Sequence, residues 1–370
     1  MTRLVDAPDG PAALPRAGLE LIDAIERAGL LGRGGAAFPV ATKWRAVANR
    51  SRGDAVVLVN GAEAEPQSMK DRLLMTARPH LVLDGAFLAA RVLRARRILL
   101  YIGERHDRAT TAMRRALAQR TDPEKTLVTF VAAPARYVAG AEMSAIHLIN
   151  DGIATPTNVP PHPFERGIGG APTLVQNVET LAHVAQVARG DIANTSLITI
   201  AGGVARAGVV EVQTGTTVGD AIAWAGLKEP ARAVLVGGYF GSWVEPETAW
   251  ALPLDHRTRL GCGVVGVMSQ SRCPVCDVAA IMRYLAAESS AQCGPCFFGL
   301  RALADASTRI AEGGSNGADL ERLQRWAGEV RGRGACRHPD GAVMFLSSAL
   351  QVFAAEFAHH KAHNDTRQTA

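Results

Sequence analysis

The stretch "GLLGRGGAAFPVATKW", Gly29 to Trp44, puts four glycines beside one arginine, a proline and a phenylalanine. Within it "GRGGAA" (32–37) matches the dinucleotide pattern G-x-G-x-x-A. That pattern belongs after a strand and at the opening of a helix. Here "GLELIDAIERAGLL" (18–31), with helical apolar spacing, comes first, and Phe38-Pro39 follow. An ordinary Rossmann loop is therefore rejected. Bare backbone beside Arg33 and Lys43 remains. Glycines let N–H groups approach an anion, and two cations neutralise it. A glycine turn that only solves a folding problem has the same composition, so a phosphate role needs support from elsewhere.

Working outward, "DAVVLVNG" (54–61) is a short β-branched run and reads as a buried strand. "VNGAEAEPQSMKDR" (59–72) follows at once. It places Glu63, Glu65, Lys70, Asp71 and Arg72 at a strand's carboxyl end, where α/β sheets bind ligands. The plainer reading is a charged helix start. "RPHLVLDGAFLAARVL" reads as helix, "ARRILLYIGE" as strand, "DRATTAMRRALAQR" as helix and "TLVTFVAAP" as strand. This alternation predicts an α/β layer with parallel strands. "MSAIHLIND" and "VQNVETLAHVAQVAR" read as two further helices, and "ATPTNVPPHPF" (154–164) as an irregular connection.

A second composition begins near residue 195. "TSLITIAGGVARAGVVEVQTGTTVGDAIAWAGL" predicts strand, turn, strand and short helix, and "ARAVLVGGYFGSWV" adds a strand. From Cys273 helical periodicity dominates, and the polar end "HNDTRQTA" reads as frayed.

The 370 residues suffice for two or three domains. Charged residues make up 20% and hydrophobic ones 48%, an ordinary globular balance. The net charge of +5 comes from scattered arginines, so nucleic-acid binding is not expected. No apolar run approaches ~18 residues, so no membrane insertion is expected. The opening "MTRLVDAPDGPAAL" lacks a signal peptide's apolar core. The expected location is cytoplasmic, with a place at the periphery of a membrane complex left open.

All six cysteines fall in the last third: Cys262, Cys273, Cys276, Cys293, Cys296 and Cys336. Two C-x-x-C pairs in that arrangement suit a metal site better than a disulfide framework.

Taken together, "GRGGAAFPVATKW", "NGAEAEPQSMKDR", "YVAGAE", "PTLVQNVET", "ESSAQCGPC" and Cys336 resemble, in order, the motifs of the NADH-binding flavoprotein subunit of respiratory complex I, the F-type subunits of NADH–quinone oxidoreductases. The likeness runs from about residue 18 to 358. It implies a Rossmann-like α/β domain for FMN and NADH (1–192), a ubiquitin-like SLBB α+β domain (193–267) and a C-terminal helical iron–sulfur domain (268–370). Gly32, Arg33, Gly34 and Gly35 would cradle the flavin phosphate. Lys43, Asn60, Glu63, Glu65, Tyr137, Gly140, Glu142 and Asn177 would line the rest. NADH would be the substrate, and electrons would pass through FMN to the cluster. An iron–sulfur electron-carrier subunit or a ferredoxin would take them onward.

The sequence also departs from the family pattern. Ala62 and Ala141 replace carboxylates, Gln176 an asparagine, Gln67 a glycine, and Val159 and His162 stand where Lys and Phe are usual. Ser290 takes the place of the first cluster cysteine, leaving Cys293, Cys296 and Cys336. Three outcomes stay open: Ser290 as oxygen ligand of a labile [4Fe–4S] cluster, a [3Fe–4S] cluster, or no cluster. Zinc on Cys293, Cys296, Cys336 and His338 is a further alternative. Cys273 and Cys276 read as an inert helix start, or as a source of the missing ligand. The resulting expectation is an NADH dehydrogenase-like oxidoreductase, set against a non-catalytic scaffold subunit that keeps the fold.

Overall fold

The computed structural model describes residues 4–191, 194–255, 260–314 and 317–360. Its first layer contains, in chain order, α1 (Glu20–Arg27), α2 (Val40–Ala48), β1 (Val56–Gly61), α3 (Lys70–Ala77), α4 (Pro79–Leu93), β2 (Arg97–Gly103), α5 (Asp107–Ala118), β3 (Val128–Ala133), α6 (Glu142–Asp151), β4 (Thr173–Asn177) and α7 (Val178–Ala188). The four strands are parallel, in the order β3-β2-β1-β4. Alternate residues of β1 serve opposite faces. Val57 and Val59 join the core with α4 and α7, whereas Val56 and Leu58 join the one beneath α6. Both faces are covered, which is why the strand reads as an unbroken apolar run. The order reverses between β1 and β4, and such a switch point opens a crevice at the strands' carboxyl ends.

One expectation is corrected here. "VQNVETLAHVAQVAR" is not helical throughout, because Val175, Gln176 and Asn177 finish β4 in register with Leu58, Val59 and Asn60. Asn177 then ends the strand and caps α7, its side chain accepting from the Glu179 and Thr180 N–H groups.

The second layer contains β5 (Thr195–Gly202), β6 (Gly208–Gln213), α8 (Val218–Ala225), β7 (Ala231–Val236), β8 (Ser242–Val244), α9 (Pro246–Ala249) and β9 (Val264–Ser269). Its sheet order is β6-β5-β9-β7-β8, with β5 and β9 parallel and the other pairs antiparallel. The central parallel pair flanked by two hairpins is the ubiquitin-like arrangement expected. The sequence reading missed β8 and β9. A Thr217–Asp220 capping box starts α8.

The helical region contains α10 (Pro274–Ala287), a π turn over Pro295–Gly299 that runs into α11 (Leu300–Ala311), then α12 (Ala318–Val330), α13 (His338–Val352) and α14 (Ala354–His359). No helix among the described residues is long and apolar enough to cross a membrane. The expected boundary at 192/193 and the expected frayed tail, 363–370, lie outside the described residues.

The packing of α4 against α7 depends on one glycine. A methyl group added at Gly85 would lie 2.0 Å from the Leu181 carbonyl oxygen. Alanine gains up to ~1 kcal/mol of helix propensity over glycine, but overpacking against backbone costs ~1–3 kcal/mol. The clash wins. Gly85→Ala should lower the thermal unfolding midpoint, read by circular dichroism. An unchanged or higher midpoint would show that the two helices part freely.

Candidate functional site

A cavity of about 850 Å³ opens at the carboxyl ends of β1 and β4. All twelve residues expected around a flavin line it: Gly32, Arg33, Gly34, Gly35, Lys43, Asn60, Glu63, Glu65, Tyr137, Gly140, Glu142 and Asn177. The glycine loop connects α1 to α2 and is closed by the Gly32 N–H donating to Phe38 O at 2.9 Å. At Gly34 a methyl group would meet only the Asn177 Cβ, at an ordinary 3.5 Å. Internal packing therefore does not demand a glycine there. Gly35, at φ +103°, needs glycine for its backbone.

The side chains divide by what they do. Asn60 donates to Gly140 O at 3.0 Å and accepts from the Ala62 N–H, tying the loop after β1 to the turn Tyr137–Gly140. Glu63 is held in the left-handed region (φ 43°), which costs a non-glycine residue roughly 1 kcal/mol. Its carboxylate accepts from Ser68 Oγ, from the Asp71 and Arg72 N–H groups and from Arg72 Nε. Glu63 thus serves the N-terminus of α3, where a negative charge is favoured. Glu65 accepts from Tyr137 Oη and the Tyr239 N–H, both at 2.9 Å. Burial raises its pKa above the ordinary carboxylate range, against the pull of those bonds. Lys43 donates to Glu142 at 2.9 Å and to Val175 O at 3.3 Å.

Arg33 points inward. Its N–H donates to Thr180 Oγ1, its Nη2 donates to Thr195 O at 3.0 Å, and its Nε lies 4.0 Å from Glu179.

Beneath the loop lies a charged network. Lys70 Nζ, fully buried, donates to Asp71 at 2.6 Å and to Glu179 at 2.8 Å. Asn177 donates to the other Asp71 oxygen at 2.6 Å, and the Leu197 N–H donates to Glu179 at 2.8 Å. Burial pushes Asp71 up to about 6, and the neighbouring Glu63 and Glu179 charges add to that. Glu179 is held well below its ordinary value by Lys70, against its own burial. In the sequence Lys70 and Asp71 read as part of a ligand motif or as a charged helix start, and Glu179 is not singled out. The available signal was a Lys-Asp pair beside the otherwise apolar face of Leu74 and Met75.

Of the departures from the family, Ala141 and Gln176 line the cavity, and Ala62 is buried beside it. Gln176 Oε1 is buried with no hydrogen-bond partner among the described residues. His162 stacks on Phe164, and neither Val159 nor His162 lines the cavity.

The three cysteines expected at the cluster come from two helix starts. Cys293 and Cys296 flank Gly294-Pro295 where the π turn begins, and Cys336 precedes α13. Helix N-termini favour thiolates. Burial raises the Cys336 thiol, the backbone N–H of His338 opposes this, and the Cys296 and Cys293 charges add to the rise. Ser290 Oγ is engaged with Gln292 at 3.4 Å, whereas Ser289 Oγ lies 2.7 Å from Cys296 Sγ. The three sulfurs are not gathered within 4.8 Å of one another. A single tetrahedral zinc needs donors roughly 3.8 Å apart, closer than these three sulfurs all lie. His338 does not join it. It donates from Nε2 to Leu285 O at 2.8 Å and packs edge-on to Tyr137 and Phe240. Cys336 and His338 also line the large cavity, and Tyr137 and Phe240 rings meet at 4.7 Å there. Phe240 and His338 were not expected at the flavin site.

The buried network makes a testable demand. Lys70→Met leaves two buried carboxylates without their cation and should destabilise the fold by ~3–5 kcal/mol, measured by urea unfolding. Asp71 has a raised pKa, so the native state binds its proton where the unfolded polypeptide has lost it. Its contribution therefore falls as pH rises from ~4, the unfolded value, to about 6. Asp71→Asn should flatten that fall in a series of melts across the same window. An unchanged profile would mean that Asp71 stays ionised.

The description "Nuo51 FMN-binding domain" matches residues 25–186, "SLBB domain" residues 197–238, and "NADH-ubiquinone oxidoreductase-F iron-sulfur binding region" residues 277–360. The F subunit of NADH-quinone oxidoreductase from Salmonella typhimurium is 30% identical over 379 residues, covering 91% of this chain and 83% of that protein. The second F subunit of Rhizobium meliloti is 28% identical, covering 92% and 88%. A crystal structure of an NAD+-reducing [NiFe]-hydrogenase in the H2-reduced state superposes with a TM-score of 0.86 at 30% identity. It covers 94% of this chain, which spans 63% of the hydrogenase chain. With three domain types in matching order and the cavity and cysteine geometry above, the protein belongs to the family of NADH-quinone oxidoreductase F subunits, as a divergent FMN and iron–sulfur electron-transfer member.

Proposed function

We propose that this protein oxidises NAD(P)H at a flavin and delivers the electrons, through its own iron–sulfur cluster, to a separate iron–sulfur carrier protein. One observation carries the reading: a single cavity is lined both by the glycine loop and by Cys336. A flavin held by the first therefore lies against the second. FMN supplies hydride acceptance and one-electron release when bound. The protein supplies placement. The bare Gly34–Gly35 backbone gives the phosphate side room, and Lys43 brings a positive charge that Glu142 now balances. Tyr137, half-buried and fixed by Glu65 and by Glu288 on its N–H, gives the cavity a wall.

A second reading, a non-catalytic scaffold subunit, is favoured by one feature. Every carboxylate lining the cavity is already engaged: Glu63 on α3, Glu65 on Tyr137, Asp71 on Lys70, Glu142 on Lys43 and Asp340 on the Gly332 N–H. Alanines stand at two positions where relatives carry acids. Each missing partner weakens a nucleotide by ~1–3 kcal/mol, or roughly tenfold or more in affinity.

The test is an anaerobic absorption spectrum of the full-length protein, loaded with FMN and iron–sulfide, before and after NADH or NADPH. Bleaching of the flavin band supports the first reading. A protein that stays colourless after loading establishes the scaffold. Flavin that dithionite bleaches and neither nucleotide does removes NAD(P)H as the donor.

Two variants sharpen the proposal. Gly34→Ala should leave the melting temperature unchanged, yet weaken FMN binding at least tenfold, read by flavin fluorescence. Equal affinity in the variant would mean that the loop does not cradle the flavin. At the cluster, oxygen holds iron less well than sulfur does. Ser290→Cys should therefore slow the loss of iron in air, followed by electron paramagnetic resonance and iron counting. No change would exclude position 290 from the cluster and point to Ser289, which already touches Cys296.

A further inference from the structure

Away from the cavity and the cluster cysteines, three donor atoms meet where α10 begins and α14 ends. Cys273 Sγ, Cys276 Sγ and a ring nitrogen of His360 lie within 4.8 Å of one another, all half-buried. Cys273 is the N-cap residue of α10, and Cys276 sits one turn along it. The Cys276 N–H points at Cys273 Sγ at 3.5 Å, a bond that favours a thiolate. His360 arrives from 87 positions further along the sequence, with Nδ1 at 3.9 Å from Cys273 Sγ. Its Nε2 lies 3.0 Å from the Ala311 carbonyl oxygen. A carbonyl only accepts, so Nε2 carries the hydrogen and Nδ1 the lone pair. Orientation of a ligating imidazole by a backbone carbonyl on its other nitrogen is the usual outer-shell device at metal sites.

We infer that Cys273, Cys276 and His360 form a site for a thiolate-preferring divalent cation, Zn2+, which staples the end of α14 to the start of α10. The chemistry fits in three ways. Two thiolates and one imidazole suit Zn2+ and exclude the hard cations Mg2+ and Ca2+. The Cys273 Sγ–His360 Nδ1 separation of 3.9 Å is close to the roughly 3.6 Å spanned by donors of a tetrahedral zinc. Two thiolates also cancel the ion's charge, and the adjacent Asp277 is already paired with Arg272. Three protein ligands leave a fourth position for water. The sequence reading of an inert helix start could not see this site, because the third ligand lies beyond another helix. The inference does not rest on the proposed electron transfer.

The test uses the full-length protein with flavin and cluster in place, analysed for zinc, iron and acid-labile sulfide. The expected result is about one zinc per protein molecule. Cys276→Ser and His360→Gln should each cut zinc retention against a chelator at least tenfold, with iron and sulfide unchanged. Co2+ exchanged into the unmutated protein should show thiolate-to-cobalt absorption and tetrahedral d–d bands, a readout that does not depend on a variant's folding. Three results overturn the inference. One is no zinc or cobalt bound when either is offered to the reduced protein. Another is a Cys273–Cys276 disulfide that persists under the same reducing conditions. The third is loss of iron and sulfide together with zinc in Cys276→Ser, which assigns the pair to the iron–sulfur cluster.

Discussion

A single buried ammonium, Lys70 Nζ, holds together the parts that shape the cavity. It reaches Asp71 on its own helix and Glu179 on α7. Glu179 in turn accepts from the Leu197 N–H at the start of the second sheet and faces the Arg33 guanidinium from the glycine loop. Asp71 accepts from Asn177, the residue that ends β4 and caps α7. Remove the ammonium and two carboxylates face each other in a dry interior, where an unpaired charge is among the costliest defects a fold can carry. The network therefore acts as a register pin. The glycine loop, the switch point and the junction with the second sheet are positioned by one set of charges, and none of them can shift alone.

This explains why Arg33 looks inward. A guanidinium directed into the cavity would leave Glu179 with less positive charge and the Thr195 carbonyl without its donor. The part of the loop left for a ligand is then its backbone, with Lys43 nearby, held by Glu142 and the Val175 carbonyl. Fixed charge serves geometry below the loop, and bare peptide groups with a half-buried lysine remain above it for a ligand. On the opposite wall Tyr137 joins both sides: its N–H is held by Glu288 at the end of α10, its hydroxyl by Glu65 after β1, and its ring packs on Phe240 and His338. Together with the Arg136–Glu288 ion pair, that residue ties the helical region to the parallel sheet.

What the sequence showed and what it hid follow from the range of the interactions. The strands β1, β2 and β3 were legible because their apolar runs are local facts. The misplaced fingerprint was legible for a similar reason, since α1 and Pro39 flank the loop directly. The end of β4, Val175 to Asn177, reads as helix in the sequence because Asn177, one residue, separates a strand from a strongly periodic helix, and only pairing with β1 reveals the break. β9, a short run between Gly263 and the α10 start, owes its existence to β5 and β7, more than 25 residues away. The ring of cavity residues was legible through motifs, and the structure brings all twelve together. Their tasks were not, because the partners lie far off: Glu179 is 109 positions from Lys70, and Glu65 is 72 from Tyr137.

The same limit hides the relation between the two sulfur sites. The helix α10 has 14 residues, roughly 21 Å at 1.5 Å per residue. At its first turn stand Cys273 and Cys276, facing His360. Just past its last turn stand Glu288, which grips Arg136 and the Tyr137 N–H, and Ser289, which touches Cys296. A helix held at both ends is a strut. Its far end sets the distance between the cavity wall and Cys296, and its near end is anchored by Val275 and Val278 in the helical core as well as by the contact with His360. An ion at the near end would tie α14, whose six residues are too few to be stable by themselves, to α10 in addition to the packing of Phe357 and the Arg232–Glu356 pair. Rigidity at one end of α10 thus becomes positional accuracy at the other, where Tyr137 and Cys296 are placed.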